Sequence, residues 1–294
     1  MTVYPDFYDA FCCTAERCRH SCCRGWEIDI DAETAARYRA MEGPLGERLR
    51  AAIDWGETAS FRLTDDERCP FLRADNLCEL IRETGGEDIL CDVCALHPRF
   101  FTEAGETTFA GLGLCCEEAC RLLLQSREPL RFLAEDQALT LAQLTGDLFA
   151  PDALHFEPRT DAAVLELYAR CEPIDAQWTA QLDALRADIP GCVRAMEAYL
   201  QTYDSAVFDR ILHDILYRQL DRAEQNAASV ARYAQDAAQF VFLTAAVTGD
   251  LPEALRRWSE QTEYSTENVE ILMRYHNAPN RGRFGAFLSY VSSS

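Results

Sequence analysis

Twelve of the fourteen cysteines fall within the first 120 of 294 residues, in four groups: Cys12, Cys13, Cys18, Cys22 and Cys23; Cys69 and Cys78; Cys91 and Cys94; and Cys115, Cys116 and Cys120. An even scatter would put fewer than half of them there. Clustered thiols either pair as disulfides or, as thiolates, bind soft and borderline metals; four convergent sulfurs satisfy tetrahedral zinc or a cubane iron–sulfur cluster. Compartment separates the two. The opening MTVYPDFYDAFCC has no basic n-region and no apolar h-segment, so it does not read as a secretory signal and a reducing, cytoplasmic location is expected. Fourteen cysteines in 294 residues is also below the roughly 8–10% typical of disulfide scaffolds. Metal ligation is therefore the preferred reading, and a disulfide framework ranks second.

Spacing limits how the sulfurs can meet. Cys18 and Cys22 share a face if their turn is helical, and Gly25 allows a tight exit from it. Adjacent Cys22 and Cys23 do not easily address the same small ion, which leaves either two metal centres or one ligand beside a neighbour. The four groups are too far apart to form one zinc knuckle, so the fold must gather them. Several other side chains could take part. His20 lies close to Cys18 and Cys22 and is either a ligand or a neighbour, and Arg99, after His97 and Pro98, could meet a carboxylate or simply anchor a loop. Trp26 could shield a cluster from water or be ordinary core, and His213 is read as structural.

The elements that must position these groups change character along the chain. In residues 1–127, short elements alternate with turns. An alternating stretch from Trp26 runs into a helix over 32–41 with Asp31 as N-cap; residues 43–46 break the chain before a second short helix over 46–53. Phe61, Arg62 and Leu63 suggest a short strand, 79–84 and 114–125 read as helices, and nothing suggests an extended sheet. Residues 128–158, with Pro129, Pro151 and Pro158, form the expected junction. From 159 to 294 the pattern is helical. Phe208, Ile211, Leu212, Ile215, Leu216 and Leu220 make one apolar stripe, and similar stripes run over 161–170, 176–187, 193–201, 229–247, 252–260 and 266–275. Breaks are expected at Pro190–Gly191, at Gly249–Asp250 and over 277–285. The fold class expected is mainly α: a cysteine-rich metal-binding N-terminal module with short irregular elements, then an α-helical C-terminal part.

Charge narrows the partners. With 49 acidic and 28 basic residues the net charge is −21, which repels phosphate backbones and disfavours nucleic acid; a cationic partner is easier to reconcile, although an acidic surface also simply keeps a protein soluble. No apolar run approaches the roughly 20 residues that span a bilayer, so no membrane association is expected.

The run Tyr8-x2-Phe11-x-Cys13-x4-Cys18-x3-Cys22-Cys23-x2-Trp26-x-Ile28-x-Ile30-Asp31 resembles the opening motif of the flagellin lysine N-methylase family, which is related to the zinc- or iron-chelating cysteine-cluster proteins. Later blocks follow in the same order: Cys69-Pro-Phe-Leu, Cys78, Cys94-x3-Pro98-Arg99-Phe100, and Leu114-x-Cys116-x-Glu118-Ala119-x-Arg121. Weaker similarity reaches Leu216-Tyr217-Arg218 and Tyr264-Ser265-Thr266-Glu267-Asn268. The resemblance implies metal ligation by Cys13, Cys18, Cys22, Cys23, Cys69, Cys78, Cys94 and Cys116. Cys12, Cys91, Cys115 and Cys120 lie outside the pattern, beside matched positions where spare thiols could exchange as ligands, and small buried residues are the preferred reading; Cys171 and Cys192 are read as core. The resemblance also implies an iron–sulfur cluster, 4Fe–4S in type with zinc as the alternative, and methyl transfer from S-adenosylmethionine to lysine side chains of flagellin or a similar protein. The sequence carries no G-x-G-x-x-G loop after a strand and no C-x3-C-x2-C triplet, so neither a Rossmann-type pocket nor the common radical-type triplet is expected. Adenosylmethionine would then meet an open iron of a cluster held by three cysteines. No catalytic base stands out among the many acidic and tyrosine side chains. The competing class is a non-enzymatic protein whose zinc or iron only staples the fold.

Overall fold

The computed structural model describes residues 1–277, with side chains through Arg274. The break expected over 277–285 lies, beyond Asn277, outside the described residues. The chain is mainly helical and divides into two compact units, one made of Met1–Gln125 with Leu133–Glu135, the other of Ser126–Phe132 with the described residues from Asp136 onward.

The first unit contains β1 (Thr2–Pro5), β2 (Asp29–Ile30), α1 (Ala32–Ala40), α2 (Gly43–Ala52), β3 (Ile53–Trp55), β4 (Ala59–Phe61), α3 (Glu79–Thr84), α4 (Asp92–Leu96), β5 (Arg99–Ala104), β6 (Thr107–Leu112) and α5 (Glu117–Leu124). Ile28 and Ile30, alternate residues of the stretch leading into α1, turn inward onto Tyr38, Leu49, Ile53, Phe61, Phe71, Leu80 and Ile89, so a small sheet ordered β2-β4-β3 packs with α1 and α2 into one apolar cluster. Cys69 and Cys91 belong to that cluster, and Cys23, Cys78 and Cys94 pack against it. Asp31 caps α1 as expected, its Oδ1 accepting the Thr34 N–H at 2.8 Å. α2 begins earlier than the sequence suggested: Gly43 takes φ +82°, and Pro44 sits in the first turn, where its missing N–H is not needed.

The expectation of no extended sheet is corrected. β6 lies between β5 and β1, antiparallel to β5 from Arg99↔Leu112 to Ala104↔Thr107 and parallel to β1 with Thr2 opposite Thr108. The aromatic and β-branched residues Phe100, Phe101, Thr102, Thr107, Thr108 and Phe109 favour a pleated surface, and Gly105 supplies the turn at φ +61°. Gly111 faces Phe100 across the pair; a Cβ there would lie 2.4 Å from the ring, so only glycine leaves room for it.

The second unit is built from α6 (Leu141–Thr145), α7 (Val164–Tyr168), α8 (Ala176–Ala187), α9 (Ile189–Tyr199), α10 (Ser205–Tyr217), α11 (Leu220–Thr248), α12 (Leu251–Thr262) and α13 (Thr266–Asn277). Four aspartates start helices here: Asp175, Asp188, Asp204 and Asp250 each accept a first-turn N–H, from Trp178, Gly191, Ala206 and Glu253. Part of the acidic composition is thus spent on caps, where a carboxylate meets both orphan amides and the helix dipole. Pro190–Gly191 is the first turn of α9, and no gap opens there; Gly191 fits because a Cβ would meet the capping Asp188 carboxylate at 2.1 Å. The long stripe on α10 buries Phe208, Ile211, Leu212, Ile215 and Leu216 completely. α11 is two helical stretches joined at Asn226, whose φ/ψ of −156°/75° interrupts the helix, and it ends at the expected Gly249 in the left-handed region.

This interior also holds charge. Arg218 Nε donates to Glu263 Oε1 at 2.7 Å, with side-chain exposures of 9% and 1%, and Ser259 Oγ donates to the other carboxylate oxygen at 2.6 Å. Removing one partner of such a pair strands the other charge away from water. Glu263→Ala is therefore expected to cost about 3–5 kcal/mol of stability, read by urea unfolding; a loss below about 1 kcal/mol, the range of exposed pairs, would contradict the burial of this pair.

Candidate metal centre

The fold brings the thiols of the first unit into two neighbourhoods that part at Cys22 and Cys23. The inner one sits on the apolar cluster. Residues 23–25 run antiparallel to 67–69, bridged at Arg24 and Arg68: Cys69 N–H donates to Cys23 O and Gly25 N–H to Glu67 O, both at 2.9 Å. Gly25, at φ +71°, turns the strap away afterwards, the tight exit anticipated from the sequence. A second bridge joins Leu72 to Cys78, and Glu79 N–H donates to Phe71 O at 2.8 Å, which sets Cys78 at the start of α3. Cys91 starts α4 and is completely buried, with Cys94 one turn on. The loop before it is held by Tyr38, whose hydroxyl donates to Ile89 O at 2.6 Å, and α4 is held by Asp31, whose Oδ2 accepts the Asp92 N–H at 3.1 Å.

The outer neighbourhood comprises Cys13, Cys18, Cys22 and Cys116, close enough for their charges to be felt by one another. Cys116 starts α5. The loop carrying Cys18 and Cys22 is tied to that helix through Glu117, which accepts the His20 backbone N–H at 2.6 Å and lies 3.8 Å from Arg19. Thr14 Oγ1 and Cys18 Sγ share a hydrogen bond of 2.9 Å. Cys13 and Cys22 are exposed, whereas Cys69 and Cys91 of the inner group are buried.

Crowding controls protonation. Burial pushes Cys69 up to about 12 and Cys116 up to about 11, the latter opposed by the N–H groups of Ala119 and Glu118 at the start of α5. Burial likewise raises Cys78, against the N–H groups of Ile81 and Leu80, and raises Cys18. Within the hydrogen-bonded pairs the shifts diverge: the Cys22 thiol is raised while Cys23 falls to about 7, and Cys94 is raised while Cys91 falls to about 7, because one sulfur of each pair stabilises the thiolate of the other.

None of the fourteen cysteines is disulfide-bonded. The donor set is thiol throughout, which suits a soft or borderline metal and not calcium or magnesium. As placed, no three Cys, His, Asp or Glu side chains among the described residues close on one point tightly enough to hold an ion.

The remaining candidates are distributed as follows. Cys91, read from the sequence as a bystander, joins the inner group; its two-residue spacing from Cys94 was the signal that could have found it. Cys12 is exposed, contrary to the expectation of a small buried residue, because its chain segment lies on the surface. Cys120 is buried and donates to Leu114 O at 2.9 Å; Cys171 and Cys192 are buried in the helical unit. His20 is exposed and Trp26 half-buried. Arg99 packs over the rings of Phe11 and Tyr8, 5.0 and 5.6 Å from their centroids, so it anchors the N-terminal segment. His97 keeps a buried Nε2 with no hydrogen-bond partner, and burial lowers its pKa. His213 Nε2 bonds Leu154 O at 2.8 Å, a structural role.

A helical protein whose smaller unit gathers two groups of thiols defines the class. Its similarities among known proteins are to a "Lysine-N-methylase" of Salmonella typhimurium, 26% identical over 154 residues, and to one of Salmonella choleraesuis with the same identity and span. It is also similar to the "Flagellar biosynthetic protein FliU" of Salmonella muenchen, 25% identical over 135 residues. These alignments take in 49%, 49% and 43% of the chain and 37%, 37% and 78% of the relatives, so the match spans little more than a third of the length of either methylase. No protein-family model matches the chain, and no solved structure does.

Asp31 links helix capping to the thiols, since one carboxylate holds both α1 and the helix that carries Cys94. Its pKa is held below the usual value, first by the Thr34 N–H and with help from that of Asp92. The folded pKa being depressed, its contribution is present above the unfolded value near ~3.9 and is lost as pH falls through the folded one. Asp31→Ala should cost about 1–2 kcal/mol at neutral pH, with the gap to wild type closing on acidification below about pH 4. Urea unfolding at a series of pH values checks this; a gap independent of pH would exclude the capping role.

Proposed function

We propose that this protein is a protein-lysine N-methyltransferase that takes the methyl group from S-adenosylmethionine and delivers it to lysine side chains of flagellin or a flagellin-like acceptor. The observation that carries the reading is the similarity to two proteins named Lysine-N-methylase, and the free thiols are donors of the kind an iron–sulfur cluster takes. Cys13, Cys18, Cys22, Cys23, Cys69, Cys78, Cys94 and Cys116 are the proposed metal ligands. A bound cluster would supply a Lewis-acidic, redox-active iron.

The chain's own residues have two tasks. One is attraction: a net charge of −21 draws a lysine-bearing acceptor by long-range electrostatics. The other is protection: the apolar cluster buries Cys69 and Cys91 and partly covers Cys23, Cys78 and Cys94. In the transfer, the lysine ammonium first gives a proton to water; the lone pair of the resulting amine then forms the new N–C bond while the S–CH3 bond breaks and S-adenosylhomocysteine leaves. Protein reconstituted without oxygen and incubated with adenosylmethionine and flagellin should place methyl groups on flagellin lysines, read by peptide mass spectrometry. A metal-loaded protein that neither binds adenosylmethionine nor methylates any lysine would overturn this in favour of a metal that only staples the fold.

A further inference from the structure

We infer that the thiols form two metal centres of different kinds: an outer, solvent-facing centre on Cys13, Cys18, Cys22 and Cys116, and an inner, structural one on Cys23, Cys69, Cys78 and Cys94. This rests on the metal-binding part of the proposed function and is independent of methyl transfer.

Three observations carry it. First, the eight cysteines part four and four. Cys23, Cys69, Cys78 and Cys94 all belong to or pack against one apolar cluster that includes none of the other four. Second, the outer four are assembled by different contacts: Glu117, at the start of α5 beside Cys116, takes the His20 N–H at 2.6 Å and approaches Arg19 to 3.8 Å, drawing in the loop that bears Cys18 and Cys22. Third, the dividing line falls between adjacent residues. The backbone of Cys23 is fixed by the Cys69 N–H at 2.9 Å, which commits it to the inner side, while Cys22 stays exposed. The Cys22 and Cys23 thiols are hydrogen-bonded neighbours, so the two sets meet at this one pair of sulfurs.

The environments assign the roles. Structural metal sites are closed shells of protein ligands in packed surroundings, whereas reactive sites keep a position open to water or substrate. The inner set has a buried member in Cys69 and a further buried thiol, Cys91, hydrogen-bonded to Cys94; such second thiols orient ligating sulfurs. The outer set has two exposed members, Cys13 and Cys22, and acidic residues beside it. The two exposed thiols among the eight, where a cosubstrate or a lysine has direct access, both belong to the outer set.

The test uses the full chain, purified without oxygen and supplied with iron, sulfide and zinc, with metal and acid-labile sulfide counted per chain and Tm recorded. Cys13→Ser and Cys116→Ser should each lose one metal population, keep the other, and leave Tm nearly unchanged. Cys69→Ser and Cys94→Ser should lose the complementary population and lower Tm, and a Cys116→Ser/Cys94→Ser double variant should retain neither. A single outer substitution that empties the protein of all metal would show one shared centre and overturn the inference, as would a wild-type chain that binds only one centre's worth. Because Cys69→Ser may not fold, the two outer variants alone decide the matter: retention of the inner population in both supports two centres, and its loss in either refutes them. Methyl transfer by a protein with a single centre would sink this inference and spare the proposed function; two centres without methyl transfer would do the reverse.

Discussion

The pairing of residues 23–25 with 67–69 is the constraint on which the first unit depends. Two main-chain hydrogen bonds of 2.9 Å and the bridge between Arg24 and Arg68 fix Cys23 over the apolar cluster, and Gly25 turns the chain towards Ile28 and Ile30, which enter that cluster. The same short segment thus begins the core and delivers a thiol to it. β2, which follows it, has only two residues and pairs with β4 through Asp29↔Ser60 and Ile30↔Ala59. A sheet this small gains little from its own ladder and relies on what packs against it.

The helical unit solves a different problem. Its core comes from long stripes and interlocking rings, such as Phe208 with Phe156 and Phe242 at centroid distances of 5.1 and 5.5 Å, and its helices are begun by aspartates. Offset and edge-on ring pairs of this kind add specificity to apolar burial. The first unit has a smaller apolar cluster and a high density of thiols, the combination in which small domains commonly add a covalent or metal staple.

How much of this was legible follows from how local each signal is. The caps at Asp31 and the helices over 79–84 and 176–187 could be read directly, because capping and amphipathic spacing are properties of a few neighbouring residues. The β5–β6 pair was missed since its strands mix polar and apolar residues without strict alternation, and only Gly105 marks the turn. Among the site residues, adjacency alone raised the possibility that Cys22 and Cys23 serve different centres. The membership of each group could not be read, because Cys23 meets Cys69 through backbone pairing 46 residues away and Cys116 meets the first loop through a side chain, Glu117, that no thiol motif includes.

Protonation explains why thiols so crowded point to a cation at all. In the inner group each sulfur raises the energy of charging the next: Cys69 feels Cys23, Cys78 and Cys91, and Cys94 feels Cys91, Cys23 and Cys69. Burial adds to that cost, so at neutral pH most of these groups hold their protons, and only Cys23 and Cys91, each stabilised by a neighbouring sulfur, approach the thiolate state. A divalent metal reverses every one of these terms at once, since like charges that repel one another are all attracted to it, and binding then releases protons. The repulsion that keeps these thiols protonated and the attraction that a metal offers their thiolates are therefore one interaction seen without and with its counter-charge.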